Sequence, residues 1–119
     1  MKRANVQSMS TEALVHRFVE IALAQDDALL GFDNASSNRL YYQMRAVVEE
    51  LQRRPGDQRH ALLPLYNHEN MQVRLQAARS TVAVAPFSAR KVIEAIARSK
   101  QYPQAGYAGM ALRRLDGEI

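Results

Sequence analysis

From Leu14 onward the apolar positions recur three and four residues apart: Leu14, Phe18, Ile21 and Ala22, then Leu29, with the polar Gln25 inside the stripe. That spacing keeps them on one face of a 3.6-residue helix. Ser10 stands before the run as an N-cap, with Met9 and Leu14 placed to staple across it. Gly31, able to take the left-handed conformation, is the expected stop, which predicts a helix over Thr11–Leu30. A second stripe, Leu40, Met44, Val47 and Leu51, repeats at 4-3-4 and is widened by Tyr41 and Val48. The run Asp33-Asn34-Ala35-Ser36-Ser37 supplies its caps. Arg53 and Arg54 suit the negative end of its dipole, and Pro55-Gly56 terminates it.

The pattern continues with shorter elements. Asp57 caps a third helix carrying Ala61, Leu62, Leu65 and Tyr66, in which Pro64 removes a backbone donor and predicts a kink or early break. Asn70 caps a fourth, through Val73, Ala77, Ala78 and Thr81 to about Val84. Pro86 opens a fifth with Phe87, Val92, Ile93 and Ile96. Pro103 opens a sixth with Tyr107, Met110, Ala111, Leu112 and Leu115, closed by Gly117. No stretch alternates with period two over six residues, so no strand is predicted. The expected fold is all-α, with three antiparallel helix pairs stacked as an α-α superhelix. Residues 1–9 are read as a flexible N-terminus and 10–119 as a single helical-repeat domain.

Composition agrees with this and narrows the chemistry. The 119 residues are 47% apolar and 24% charged, with five Gly and four Pro, as expected of one globular helical domain. There is no cysteine, which excludes disulfides, zinc–thiolate sites and thiol nucleophiles. Lys2 and Arg3 are followed by no apolar core of the roughly 7–15 residues a signal peptide needs. No run approaches the roughly 20 apolar residues of a membrane span either. A cytoplasmic protein without membrane attachment is expected.

The second half repeats itself. Leu62 and Leu65 correspond to Ile93 and Ile96 at an offset of 31, and the Pro103 helix follows as the Asn70 helix does. The segment Asn70-Met71-Gln72-Val73-Arg74-Leu75-Gln76-Ala77-Ala78 resembles the second helix of a HEAT repeat, in which Asn caps, Val enters the core, and small residues admit a neighbouring helix. A lone helix pair cannot bury its apolar face, so pairs must stack. From Leu14 to Gly117 the chain also resembles a small uncharacterised bacterial family of armadillo-like helical fold. That likeness rests on Phe18–Gln25, on Gly56-Asp57-Gln58-Arg59 with Leu62-Leu63-Pro64-Leu65, on Asn70–Ala78, and on Pro103-Gln104-Ala105-Gly106. It implies a fold and transfers no catalytic residue.

Candidate chemistry is sparse. His60 and His68 are eight apart across Pro64 and a turn, and His16 lies opposite the apolar face of the first helix, so all three read as surface histidines and no metal or other cofactor is expected. Asp26-Asp27 and Glu49-Glu50 are adjacent in sequence, so within a helix they point about 100° apart and do not converge on one atom. No G-x-S-x-G elbow or Gly-rich phosphate loop exists. Arg74 is expected to bond neighbouring turns, and Gly106 with Gly109 to let helix backbones touch.

Charge is the feature that speaks to partners. Residues 1–69 carry eight basic and nine acidic side chains, whereas residues 70–119 carry eight basic and three acidic. Arg79, Arg90, Lys91, Arg98, Arg113 and Arg114 are the candidate partner-binding residues, although Glu94 stands four residues from both Arg90 and Arg98 and partly neutralises them. The function expected is a non-enzymatic protein–protein interaction module, a small adaptor or inhibitory partner. A nucleic-acid-binding repeat using residues 70–119, as in helical-repeat DNA glycosylases, is the alternative, and an enzyme resembling HEAT-like lyases comes last.

Overall fold

The computed structural model describes residues 5–117. They form α1 (Thr11–Leu30), α2 (Asn34–Arg53), α3 (Met71–Thr81), α4 (Pro86–Arg98) and α5 (Gln104–Leu115), with 3-10 segments at Val6–Ser8 and Gln58–Asn67 and no strand among the described residues. The chain divides into two compact units, residues 1–61 and 62–119.

In the first unit α1 packs against α2. Ser10 accepts from Ala13 N and Asp33 from Ser36 N, so both helices start at the expected caps. The predicted stripes are buried at Leu14, Phe18, Ile21, Ala22 and Gln25 on α1, and at Met44, Val47 and Leu51 on α2. Two expectations fail here. Gly31 takes an ordinary φ of −90°, and the left-handed residue is Phe32, with φ 55°. The turn displaces the unusual conformation by one residue because Asp33 N must still reach Ala28 O, at 2.9 Å. Tyr41 is exposed and does not widen the core stripe, whereas Glu50 is buried. Asn5 caps a short 3-10 turn over Val6–Ser8, within the segment read as a flexible N-terminus. Residues 1–4 of that segment lie outside the described residues.

In the second unit α4 packs on α3 and α5, and α5 also touches α3. Its core gathers Leu75, Ala78, Ala89, Ile93, Ile96 and Ala108, flanked by Tyr66, Met71 and Leu112. The segment leading into it, Gln58–Asn67, is 3-10 rather than α-helical. Pro64 has no N–H to donate and its ring crowds the preceding turn, so a tighter winding throughout stands where a helix kinked or broken at Pro64 is predicted. α3 is capped by Asn70, whose side chain accepts from Val73 N at 3.1 Å. It ends at Thr81, three residues early, and buries Gln72, Val73, Leu75, Ala77, Ala78 and Thr81.

Gly106 and Gly109 do not bring backbones together. A Cβ at Gly106 would meet only the Tyr102 ring, at 3.8 Å, and one at Gly109 would meet nothing within 4 Å. The small residues that α5 buries are Ala105 and Ala108.

Candidate functional site

The basic residues singled out in sequence lie on three helices of the second unit. Arg79 is in the last turn of α3, Arg90, Lys91 and Arg98 on α4, and Arg113 with Arg114 in the last turn of α5. All but Arg90 are exposed. Arg113 and Arg114 are consecutive in a helix, so their side chains leave about 100° apart, as do those of Arg90 and Lys91.

Arg90 is committed to its own unit. Its Nε donates to Glu94 Oε2 at 3.1 Å, while Nη1 and Nη2 donate to the two carboxylate oxygens of Asp116 at 2.9 and 3.1 Å. The bidentate bond holds the end of α5 to α4, and its planar fork is the geometry guanidinium groups favour with carboxylates. The Asp116 hydrogen bonds, and then that to Glu94, push the Arg90 guanidinium above its ordinary value. The same bonds hold the Asp116 carboxyl below the usual aspartate range. Residues 70–117 contain no carboxylates besides Glu94 and Asp116, and one arginine binds both. Lys91, Arg98 and Arg114 are exposed on the same two helices.

The other polar side chains serve structure. Arg74 Nη1 donates to the carbonyls of His68 and Glu69, at 2.7 and 3.0 Å, and closes the turn before α3. His68 Nδ1 accepts from Asn70 N in the same turn, and His60 Nδ1 lies 2.9 Å from Asp57 O. Gln104 donates to Gln72 at 3.0 Å, and both are buried between α3 and α5. Thr81 donates to Ala77 O, which leaves its oxygen to accept from the Tyr66 hydroxyl. Burial pushes the Tyr66 phenol up, an effect the Thr81 bond opposes. Among the described residues no group of three or more His, Asp or Glu side chains is placed to hold a metal ion.

In the first unit the hub is Arg54, which sequence reading treats only as a dipole complement. Its Nε donates to the buried Glu50 at 2.8 Å, and its Nη groups reach Thr11 Oγ1 and the carbonyls of Val6 and Met9. Arg54, and after it Arg53, holds the Glu50 carboxyl below its ordinary value. The i,i+4 spacing of Glu50 and Arg54 is visible in sequence. The reach to Val6 is 48 residues back and leaves no local signal.

What sequence reading missed most is exposed apolar surface. Leu23 and Leu30 stand on the outer face of α1, Phe32 is 88% exposed in the following turn, and Tyr107 and Met110 stand on the outer face of α5. Leu23, Leu30 and Phe32 fall outside the predicted apolar stripes, whereas Tyr107 and Met110 are read into the stripe of their helix, and only the folded structure shows which apolar residues stay in solvent.

The fold and surface define a small all-helical protein whose polar groups mostly bind one another and whose outer helix faces carry apolar and charged side chains. The chain belongs to the family described as a domain of unknown function (DUF2019), whose model matches residues 12–116. It is similar to the protein RPA1889 from Rhodopseudomonas palustris CGA009, known from a crystal structure: 50% identity over 97% of this chain and 95% of that one, with a TM-score of 0.92. No curated protein matches it. No helix among the described residues is long and apolar enough to cross a membrane.

Proposed function

We propose that this chain is a non-enzymatic protein-interaction module, a short HEAT/armadillo-like stack of helix pairs acting in the cytoplasm. The observation that carries this reading is the apolar exposure: Leu30, Phe32, Tyr42 and Phe87 each leave between 64% and 88% of their surface in solvent. Apolar groups on helix faces beside charged side chains are what a partner protein covers on binding. Phe32 adds weight, since a bulky residue held at a φ of 55° is strained, and its backbone conformation carries the ring outward at the end of a hairpin.

A second reading, nucleic-acid binding, is favoured by the exposed cations Lys91, Arg98 and Arg114. It is weakened by Arg90, whose charge is taken up by Glu94 and Asp116. Two measurements separate the readings. Capture from the native cell with wild type and with Phe32→Asp, read by mass spectrometry, is expected to show a protein partner that the variant loses. Duplex binding is expected to be weak and to vanish by physiological salt, since each phosphate contact adds about −0.9 to the logarithmic salt slope. Micromolar duplex binding at physiological salt, abolished in Arg98→Glu/Arg114→Glu, would replace the first reading with the second.

A further inference from the structure

The outer face of α4 joins an apolar anchor to two cations in helical register. Phe87, Lys91 and Arg98 fall four and seven residues apart, so their side chains leave the helix within about 40° of one another. They stand opposite Ala89, Ile93 and Ile96, which α4 buries in the core of its unit. Phe87 leaves 85% of its surface in solvent, and Lys91 and Arg98 are exposed. The exposed Ala95 between the two cations adds no bulk. Glu94 is the carboxylate on this side of the helix, and it accepts from Arg90 Nε at 3.1 Å. Lys91 and Arg98 have no hydrogen bond or ion pair among the described residues. Glu94 and Arg90 offset each other, so the two free cations set the sign of the stripe. Along the axis the Phe87 ring starts about 6 Å from Lys91, and Lys91 about 10 Å from Arg98.

We propose that this stripe docks an acidic helical segment of another protein, with one apolar side chain packed on the Phe87 ring and two carboxylates meeting Lys91 and Arg98. This names the chemistry of the partner in the interaction reading above and rests on it. A helix laid along α4 presents groups at the same spacing, so an apolar residue followed by acidic residues four and eleven positions on matches all three contacts. The count of charges selects a protein over the other polyanions. Nucleic-acid affinity comes almost wholly from phosphate contacts, and two cations supply few of them. Anionic lipid is held by basic clusters of about four to eight side chains, which this face lacks. A protein segment adds burial of the Phe87 ring to the two charge pairs, and aromatic anchors of that kind dominate protein interfaces. The charge pairs lie on an exposed face, so binding is weak and screened by salt.

The probe is an alanine-based helical peptide of about 18 residues, long enough to hold its helix, with Leu followed by Glu four and eleven positions on. It is made in both chain orders, and control peptides carry Gln or Lys at the two Glu positions. Fluorescence anisotropy at low salt reads binding to the full chain. Wild type is expected to bind the Glu peptide about tenfold more tightly than the Gln peptide, and Phe87→Ser to weaken that binding about tenfold. Lys91→Glu/Arg98→Glu is expected to lose the Glu peptide and to bind the Lys peptide, which wild type does not. All three substituted positions are exposed, and thermal melts check that the variants are folded. Equal binding of the Glu and Gln peptides, or a charge-reversed variant that keeps the Glu peptide or ignores the Lys peptide, would overturn the proposal. So would a DNA duplex or phosphatidylglycerol vesicles bound through Lys91 and Arg98 more tightly than the peptide. A wild type that ignores the peptide yet captures a protein partner lost in Phe32→Asp overturns this docking surface alone. A wild type that neither binds the peptide nor captures a protein overturns the interaction reading with it.

Discussion

Arg90 and Asp116 face each other across α4 and the end of α5, with Nη1 and Nη2 of the guanidinium each donating to one carboxylate oxygen, at 2.9 and 3.1 Å. The bond sets a pH dependence. Asp116 ionises more readily folded than unfolded, because Arg90 stabilises its charged form. The unfolded chain therefore binds the proton more tightly, and stability rises with pH between the folded value and the ordinary aspartate value of about 3.9. The contribution is complete above that window and is lost as pH falls through the folded value. Thermal melts of wild type and Asp116→Asn are expected to differ slightly at neutral pH and to converge in strong acid, since both partners are substantially exposed.

Glu50 behaves with the same sign and carries more structure. Arg54→Ala removes the donor to Glu50 and the bonds to Val6 O and Met9 O together. Hydrogen exchange is expected to show faster exchange at the Ser8 and Met9 amides, while the amides in the middle of α1 and α2 keep their protection. Unchanged exchange at Met9 would mean that Arg54 does not hold this segment.

Val73 has no exposed surface and Arg79, six residues on, is exposed. Val73→Asp places an unpaired carboxylate in the core at a cost of several kcal/mol, against a reserve of about 5–15 kcal/mol. That variant is expected to lose its cooperative melt and Arg79→Glu to keep it. Equal melting temperatures for Val73→Asp and wild type would place the wrong face of α3 in the core.

Gly109 sits inside α5 with open space where a Cβ would stand. Gly109→Ala is expected to stabilise the protein by about 0.5–1 kcal/mol, through reduced freedom of the unfolded chain and better helix propensity. Chemical denaturation measures this. A lower midpoint would mean that the site has a neighbour that a methyl group disturbs.

Helix type, most boundaries and the buried stripes were legible in the sequence, because they follow from local rules. Ser10, Asp33 and Asn70 cap where their side chains reach the amides three residues on. Leu14, Phe18, Ile21 and Val47 are buried as their spacing requires. Pro64 announced a disturbance, although not the 3-10 winding that resulted.

Only the tertiary structure decided which charges are spent and which apolar residues are left over. Arg90 reads as one cation among eight until Asp116, 26 residues away, is brought onto it. Arg54 reads as a helix-end charge until Val6 and Met9 are brought beneath it. Tyr41, Tyr107 and Met110 read as extensions of apolar stripes until packing of the neighbouring helices leaves them in solvent. The reason is range: capping and periodicity act within about four residues, the pitch of one helical turn. Pairing and exposure depend on segments tens of residues apart, whose approach no local spacing encodes.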